Sequence, residues 1–469
     1  MIRGPASTLY GTNAMGGVIN IITREQTEDG FTANARLMYG SYNTQKYMVN
    51  GGYRKKGFNV FASLNHDRTK GHRDSSDFRI TNGYFRTGYE INSHFTVTAD
   101  FSLANFIASD PGMENADAGY MIDITRGMGA LCFNNEFEKT SGSFRFFYNF
   151  GEHDITDGFH STDNNYGALL YQTFKPFRGN SVTAGIDLKK YGGLAENLKA
   201  MNGNGMVFGD TTVSEIAAYL YMQQVLGSKI TLNAGFRLEH NSSFGNEPVP
   251  TGGISWHPTA TTSVRASVSK GFRSPTIREL YLWGTSNDEL EPEKMINYEI
   301  GATHKLFGNK LSLELTVFRA SGSNLIKTVA GESGFKYQNT GTFTNTGVEF
   351  AGTYRFSDRF SLNANYSYTH MKEPVVASPG QQVFISGTYK WKRLSVNLST
   401  EHIHHLYTRV SPEKDISSYT LLNSKIAFRF NKYIDIFIKG ENLTNRNYYI
   451  NYGYPMPGIV AFGGVNLHI

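Results

Sequence analysis

The sequence of 469 residues has a single cysteine, Cys132, and no long apolar run. One cysteine cannot form an internal disulfide and matches no cysteine-based metal motif, so we expect a small residue on a strand. A membrane-spanning helix needs about 20 consecutive apolar residues, and the richest stretch, GVINII at 17–22, is far shorter. A helical membrane protein is therefore excluded. A transmembrane β-barrel is not, because its strands alternate lipid-facing and lumen-facing residues.

Charge and catalytic motifs are scarce as well. Charged residues make up 18% of the chain and the formal net charge is +5, which gives no reason to expect a nucleic-acid partner. The sequence contains no phosphate-binding loop, no Gly-x-Ser-x-Gly and no His-Glu-x-x-His. We therefore predict neither an enzyme nor a resident metal or cofactor.

What the sequence does contain is alternation of apolar and polar residues with a period of two. Segments such as KLSLELTVF at 310–318 and RFSLNANYSYTH at 359–370 place apolar residues on one face and polar residues on the other. From Phe31 onward such segments indicate about 22 strands, a number typical of barrels with a plugged lumen. The sequence predicts an all-β fold, an antiparallel transmembrane β-barrel of about 22 strands that crosses the outer membrane many times.

The connections carry a second signal, because short turns alternate with longer polar segments. We expect tight turns at sites such as 55–57, 226–229, 307–310 and 356–359 on the periplasmic side. Long extracellular loops are predicted at 67–77, 104–117, 152–162, 191–209, 271–293, 321–340, 403–416 and 441–458.

Three stretches give the chain a family resemblance. They are RGPASTLYGTNAMGGVINIITR near the start, KGFRSPTIRELYLWGTSNDELEPEKMINYEIG at 270–301, and IKGENLTNRNYYINYGYPMPG at 438–458. In sequence and position they resemble the end of the plug, a long extracellular loop and the last loop of TonB-dependent outer-membrane receptors. The resemblance covers essentially the whole chain.

The resemblance implies two domains. Residues 1–24 would be the C-terminal remnant of an α+β plug domain, and residues 25–469 would be the barrel with its loops. The plug of the family is longer and begins with a segment that reaches the periplasmic energising protein, TonB. We therefore expect an N-terminally truncated fragment that cannot couple to TonB without that missing segment. Outer-membrane lipid and the barrel-assembly machinery are the other expected partners, and a monomer is expected.

The opening stretch has a local interpretation of its own. Gly4-Pro5 forms a turn, Pro5 suits the first position of a short helix ASTLYG, and Gly11 can end that helix in the left-handed conformation. A tight reversal at Gly16-Gly17 would then lead into a strand VINIIT. The alternative is an ordinary helix-turn-strand unit of a soluble domain. The residues that carry the plug motif are Arg3, Gly4, Pro5, Tyr10, Gly11, Gly16 and Gly17.

Two clusters are candidates for ligand contact. In the 271–293 loop, cationic and aromatic side chains suit an anionic, aromatic metal chelate; they are Arg273, Arg278, Tyr281 and Trp283. The alternative is that Arg278, Glu279 and the acidic residues that follow stabilise the loop by ion pairs. In EHIHHLY at 401–407, alternation puts His402 and His404 on one face and His405 on the other, with Tyr407 nearby. The alternative is a set of polar rim residues.

The resemblance implies a receptor for the energised uptake of a scarce, large ligand. A ferric siderophore is the first expectation and cobalamin the second. Haem is disfavoured, because similar haem receptors carry a histidine between two motifs, and here the span from FRSP (272–275) to NDEL (287–290) contains none. Two other classes stay open: a passive outer-membrane channel, and a surface protein that binds a ligand without transporting it.

Overall fold

The computed structural model describes residues 2–21, 23, 25–114, 116, 119–331 and 334–469. Arg24, where the plug remnant was expected to end, lies outside the described residues. The longest helix in these ranges has five residues, so none of the described helices can span a membrane.

The described part of the chain is almost entirely β-structure. Its helices are α1 Ser7–Tyr10, α2 Ala200–Gly203 and α3 Ile277–Tyr281, with one 3₁₀ turn at Ser41–Asn43. Its strands are β1 Ile2–Arg3, β2 Gly17–Val18, β3 Gly30–Gly40, β4 Thr44–Lys55, β5 Phe58–Thr69, β6 Phe78–Glu90, β7 Phe95–Asp110, β8 Tyr120–Glu136, β9 Thr140–Ile155, β10 Phe159–Phe174, β11 Asn180–Asn197, β12 Met206–Leu226, β13 Ile230–Asn241, β14 Gly245–Thr259, β15 Thr262–Arg273, β16 Glu293–Leu306, β17 Leu311–Gly331, β18 Gly334–Arg355, β19 Phe360–Met371, β20 Pro379–Trp391, β21 Leu394–Arg409, β22 Asp415–Arg429, β23 Ile434–Glu441, β24 Tyr449–Asn451, β25 Tyr454–Pro455 and β26 Val460–His468.

Within the described residues, 22 of these strands close into one antiparallel barrel. Each strand from β3 to β22 pairs with the next, and the last strand, β26, pairs with both β23 and β3. Closure joins the two ends of the chain, as in the pair Phe462↔Gly40. The prediction of an antiparallel barrel of about 22 strands is confirmed.

Alternating side chains divide the wall into an apolar outer face and a polar inner face. On β16, Ile296, Tyr298 and Ile300 are exposed large apolar residues, whereas Met295 and Asn297, which alternate with them, are buried. The exposed apolar positions face lipid. Acyl chains cover them there, so they are kept out of water without being buried in the protein. The inward positions line the lumen.

The two ends of the barrel differ in their connections, although less regularly than the sequence suggested. One end has short turns, such as 56–57, 227–229, 307–310, 356–359 and 392–393. The other has the longest connections, 274–292 and 442–459, and also short ones at 41–43, 156–158 and 242–244. The long loops expected at 152–162, 321–340 and 403–416 are wrong in the described residues, since strands continue through most of each range. Polar residues that alternate along a strand above the membrane resemble a loop in composition.

The N-terminal segment lies inside the barrel and departs from its predicted local structure. Helix α1 begins at Ser7, with Ala6 at the N-cap, so Pro5 precedes the helix instead of opening it. Gly11 has a positive φ of 75°, but its ψ of −150° is not the left-handed helical conformation. Of the predicted strand VINIIT at 18–23, the described residues 19–21 and 23 are not in a strand. The strand observed here is the short Gly17–Val18, which pairs with Ile2–Arg3.

Candidate functional site

The N-terminal segment is held against the inner wall at strands β12–β15. Ser7 and Thr8 are buried there, and the Thr8 hydroxyl donates a hydrogen bond to the Val249 carbonyl at 3.2 Å. The backbone N–H of Asn13 donates to the Phe272 carbonyl at 3.1 Å. The backbone N–H of Ser274 in turn donates to the Thr12 hydroxyl at 2.8 Å.

These contacts occupy a seam in the wall. The described pairing of β14 with β15 ends toward the loop side at Thr251↔Ser269, and the rest of β14 up to Gly245 pairs with β13 alone. Val249 and Phe272 border this seam, and both are fully buried. The N-terminal segment therefore forms hydrogen bonds with backbone groups of β14 and β15 that would otherwise bond to a neighbouring strand.

A buried charged cluster supports the same segment. The Arg237 guanidinium donates to Asp187 at 2.7 Å and to Glu239 at 2.8 Å, and both Arg237 and Glu239 are inaccessible to solvent. Gly11 lies directly against this pair, because a Cβ on Gly11 would be 3.0 Å from an Arg237 Nη atom. The glycine is needed here for close approach as well as for its backbone conformation.

A luminal cavity of about 780 Å³ lies on the loop side of the segment. Thr12 and Asn13 form part of its floor, inward residues of β8, β10, β11 and β12 form its wall, and residues 274–278 with Leu282 form its cover. A volume of this size is typical of small-molecule sites. We identify this cavity as the candidate ligand site.

The charges around the cavity are mostly paired. Arg126 contacts both carboxylate oxygens of Asp163 at 2.6 Å. Lys189 lies 4.0 Å from Glu215, which also accepts a hydrogen bond from the Tyr191 hydroxyl at 3.1 Å. Among the described residues, Arg278 has no carboxylate at ion-pair distance, and its side chain is exposed in the cavity lining. The site therefore presents one uncompensated positive charge.

The loop that carries Arg278 is fixed by a capping box and an ion pair. The Thr276 hydroxyl accepts from the backbone N–H of Glu279, and the Glu279 carboxylate accepts from the backbone N–H of Thr276. The same carboxylate contacts Arg273 at 2.8 and 3.1 Å, and Arg273 also contacts Glu293 at 2.8 Å. Burial alone would raise the pKa of Glu279, but the hydrogen bonds from Arg273 and Thr276 outweigh it and lower that pKa.

Trp283 sets the position of Arg278. The Arg278 Cζ lies 4.7 Å from the centre of the Trp283 ring, which packs in turn against Phe159 at 6.1 Å and Phe208 at 5.6 Å between ring centres. Trp283 has a positive φ of 63°, a conformation uncommon for a bulky residue. The aromatic ring holds the guanidinium over its face while leaving its N–H groups free to bind an anion.

The structure separates the residues proposed from the loop sequence. Arg278 lines the cavity and Trp283 supports it, whereas Arg273 is engaged by two carboxylates that hold the loop on β15 and β16. Tyr281 is half-buried at the end of α3. The alternative of loop-stabilising pairs is thus realised for Arg273 and Glu279 and not for Arg278. Ligand contact by any of these residues stays a prediction.

The histidine cluster lies on the other side of the wall. His402 and His404 occupy the same outward row of β21 as the exposed Leu398, and their rings lie 6.2 Å apart. His405 does not point the opposite way, because a register shift after Ile403 brings its ring to 6.1 Å from that of His404 and 5.1 Å from that of Tyr407. His402, His404 and Tyr407 therefore do not reach the luminal cavity.

One group of possible metal ligands occurs among the described residues. Glu152, Asp154 and His160 have ligand atoms within 4.8 Å of one another. They lie on the outward rows of β9 and β10, and His160 already contacts Asp154 at 2.8 Å. This pairing accounts for their proximity, so we assign no metal to them.

Sequence reasoning missed the wall of the cavity. Arg126, Asp163, Lys189 and Glu215 come from four different strands and meet only because the strands are neighbours in a closed sheet. The available signal was their inward position, since a charged residue facing lipid at mid-membrane depth is costly. That signal does not tell which inward charges lie at the same height.

Comparisons with known proteins agree with this architecture. The family model described as "TonB dependent receptor-like, beta-barrel" matches residues 23–443. The chain is 22% identical over 521 aligned positions to the iron-regulated outer membrane virulence protein of Vibrio cholerae serotype O1, covering 98% of this chain and 77% of that protein.

Solved structures of similar fold include a copper transporter and a siderophore receptor. The copper transporter OprC has a TM-score of 0.85 at 14% identity, and the siderophore receptor PiuA from Acinetobacter baumannii has 0.83 at 16%. Each likeness covers 100% of this chain and 85% of the other chain. At these identities the likeness shows the fold alone. Because the family match spans most of a chain that closes into a 22-stranded barrel, the chain belongs to the TonB-dependent receptor family of the outer membrane.

Proposed function

We propose that this receptor takes up an anionic ferric siderophore through the luminal cavity beneath the 274–292 loop. The observation that carries the proposal is Arg278, a cation that lines a cavity of about 780 Å³ without an ionic partner among the described residues. An anionic chelate would supply the missing countercharge, and the planar guanidinium suits carboxylate or catecholate oxygens. Solved structures of this fold include the siderophore receptors PiuA and PirA from Acinetobacter baumannii, which supports the same class of ligand. Cobalamin is the second candidate.

Ligand titration of the purified chain tests the proposal. The probes are a ferric catecholate, its iron-free form, a ferric hydroxamate, cyanocobalamin and Cu²⁺, with binding followed by isothermal titration calorimetry. We expect an iron-loaded anionic siderophore to bind more tightly than its iron-free form. Arg278→Ala should weaken it about tenfold, the effect of losing one charge-assisted hydrogen bond. Tight binding of cyanocobalamin or Cu²⁺ with no siderophore binding would contradict the assignment.

A matched variant separates the cavity from the outer face. The double variant His402→Ala and His404→Ala removes the outward imidazoles and should leave siderophore affinity unchanged. If it weakened binding as much as Arg278→Ala, the ligand would bind at the outer rim instead. The barrel would then act as a surface-binding protein.

We also propose that residues 1–24 are the end of a plug and residues 25–469 the barrel, with uptake driven by TonB through the N-terminal part of the plug. The docking of Ser7, Thr8 and Thr12 on the inner wall supports this division. Thr12→Cys with Ser274→Cys, in a Cys132→Ser background, should form a disulfide in isolated outer membranes. Failure to cross-link in correctly assembled protein would argue against a docked segment.

We further propose that the receptor works as a monomer and is inserted by the barrel-assembly machinery.

A passive channel is the second candidate function. A luminal cavity of about 810 Å³ adjoins the N-terminal segment and is bounded by polar inward residues that include Asn345 and Gln382. Planar-bilayer recordings of the purified chain distinguish the two. Large, steady currents would favour a channel, and their absence would favour a receptor.

A further inference from the structure

The outer wall of the barrel carries an apolar groove of about 790 Å³ that spans strands β14–β19. The strand registers place its side chains in two rows. The lower row is Ile254, Ala266, Ile300, Val317, Val348 and Tyr368. The upper row is Gly252, Val268, Tyr298, Arg319, Thr346 and His370. Both rows face outward, as the exposed Val268, Ile300 and Val317 indicate.

Small residues form the floor of the groove and aromatic residues stand above it. Gly252 on β14 and Ala266 on β15 are diagonal neighbours in the upper and lower rows, and a Cβ on Gly252 would find no atom closer than 3.8 Å. Tyr298 and Tyr368 are exposed and rise on either side of Val317 and Val348. The depression is therefore shaped by side-chain size, and its lining is mostly apolar.

One cation stands at the end of this apolar surface. Arg319 is exposed on the outer face, between Tyr298 and Thr346, and has no hydrogen bond or ion pair with any described residue. The nearest acidic residues on these strands, Glu299 and Glu349, belong to the inward rows. An exposed arginine without a protein partner is free to bind an anion from outside the chain.

The height of Arg319 identifies the leaflet. Counted from the strand ends beside the short turns, Arg319 is the ninth residue of β17, Tyr368 the ninth of β19 and Tyr298 the ninth of β16. About 9–11 residues of a tilted strand cross the hydrocarbon core. Short turns lie on the periplasmic side of outer-membrane barrels, so these residues lie at the extracellular headgroup level.

We propose that this groove binds lipid A, the phosphate-bearing anchor of lipopolysaccharide, with an acyl chain along Gly252 and Ala266 and a phosphate on Arg319. The extracellular leaflet of an outer membrane is built largely of this glycolipid, which places phosphate groups directly above several acyl chains. Guanidinium and phosphate form strong bidentate hydrogen bonds. The side chains of Thr346 and His370, in the same row, add further hydrogen-bonding groups.

Native mass spectrometry of the purified full chain titrated with lipid A tests the proposal. Arg319→Gln removes the phosphate contact and Ala266→Phe fills the floor. Lys190→Gln and Ala168→Phe are matched controls, an outward cation and an outward alanine on the paired strands β11 and β10 away from the groove. Heat-modifiable migration in gels shows that each variant has assembled as a barrel.

We expect Arg319→Gln to reduce lipid A binding about five- to tenfold and to leave binding of dephosphorylated lipid A unchanged. Ala266→Phe should reduce binding of both. The controls should bind both lipids like the parent chain. The proposal is overturned if the controls lose as much binding as the groove variants, if Arg319→Gln has no effect, or if phosphatidylglycerol binds as tightly as lipid A.

Discussion

The guanidinium of Arg273 and the carboxylate of Glu279 meet at two points, with Nη1–Oε2 at 2.8 Å and Nη2–Oε1 at 3.1 Å. Arg273 ends strand β15, and Glu279 lies in the helix that follows it in the loop. The pair therefore fixes the cover of the cavity to the rigid wall. Because Glu279 also completes the capping box with Thr276, one carboxylate serves both the helix and its attachment.

Glu279→Gln should loosen this loop without disturbing the barrel. The amide keeps the size of the side chain but loses the charge that attracts Arg273, at a cost of about 1.5 kcal/mol. Hydrogen exchange of residues 274–292 should accelerate about tenfold, while exchange in β15 and β16 stays unchanged. Glu289→Gln is the matched control, an exposed acid in the same loop. Equal acceleration in both variants would show that the pair does not hold the loop.

The same pair makes the loop sensitive to acid. The pKa of Glu279 is lowered in the folded loop, so its ion pair contributes stability above the ordinary pKa of 4.5 and loses it as the pH falls through the lowered value. Exchange of residues 274–292 in the parent chain should therefore accelerate as the pH falls below the ordinary pKa of a glutamate and through the lowered pKa of Glu279, after correction for intrinsic exchange rates. In Glu279→Gln that acceleration should be absent. A loop with the same pH profile in both proteins would assign the effect to another group.

The strands could be predicted from the sequence because a wall between lipid and lumen imposes a period of two on every segment. The helix at Ile277–Tyr281 could have been predicted too, since Thr276 and Glu279 have the spacing of a capping box. The orientation of His405 could not, because it depends on a register shift between β21 and β22 that changes the face of one residue.

The cavity required information that the sequence does not carry locally. Arg126 and Asp163 are 37 residues apart in the chain and become neighbours only through the pairing of β8, β9 and β10. The position of Arg278 depends on Trp283, whose backbone conformation is uncommon for a bulky residue. The position of the site residues depends on the register between distant strands and on one strained loop residue. Neither produces a periodic pattern within a single segment of the sequence.

Arg237→Ala should destabilise the barrel strongly. It leaves Asp187 and Glu239 without their cation inside the wall, and removing one partner of a buried ion pair costs about 3–5 kcal/mol. The midpoint of urea unfolding in detergent should fall accordingly. Arg429→Ala is the control, because Arg429 is 71% exposed and lies 3.6 Å from Asp435 at the rim. An exposed pair of this kind contributes about 0–1 kcal/mol. Similar losses of unfolding free energy in both variants would show that the buried ion pairs of Arg237 stabilise the barrel no more than the exposed pair of Arg429.

Gly11→Ala should release the N-terminal segment from the wall while Gly16→Ala should not. Gly11 has φ 75° and ψ −150°, a conformation that costs an alanine about 1–3 kcal/mol. Its new Cβ would also lie 3.0 Å from Arg237 and 3.3 Å from Glu239. Gly16 meets no atom within 4 Å of an added Cβ, so the same substitution is tolerated there.

The yield of the disulfide between Thr12→Cys and Ser274→Cys measures docking in each variant, because Thr12 and Ser274 are joined by a 2.8 Å hydrogen bond in the docked segment. We expect the yield to fall with Gly11→Ala and to stay at the parent level with Gly16→Ala. If both alanines reduced it equally, flexibility of the segment, and not its fit against Arg237, would govern docking. If neither did, the wall could accommodate a side chain at Gly11 and the buried cluster would not need the close approach of the glycine.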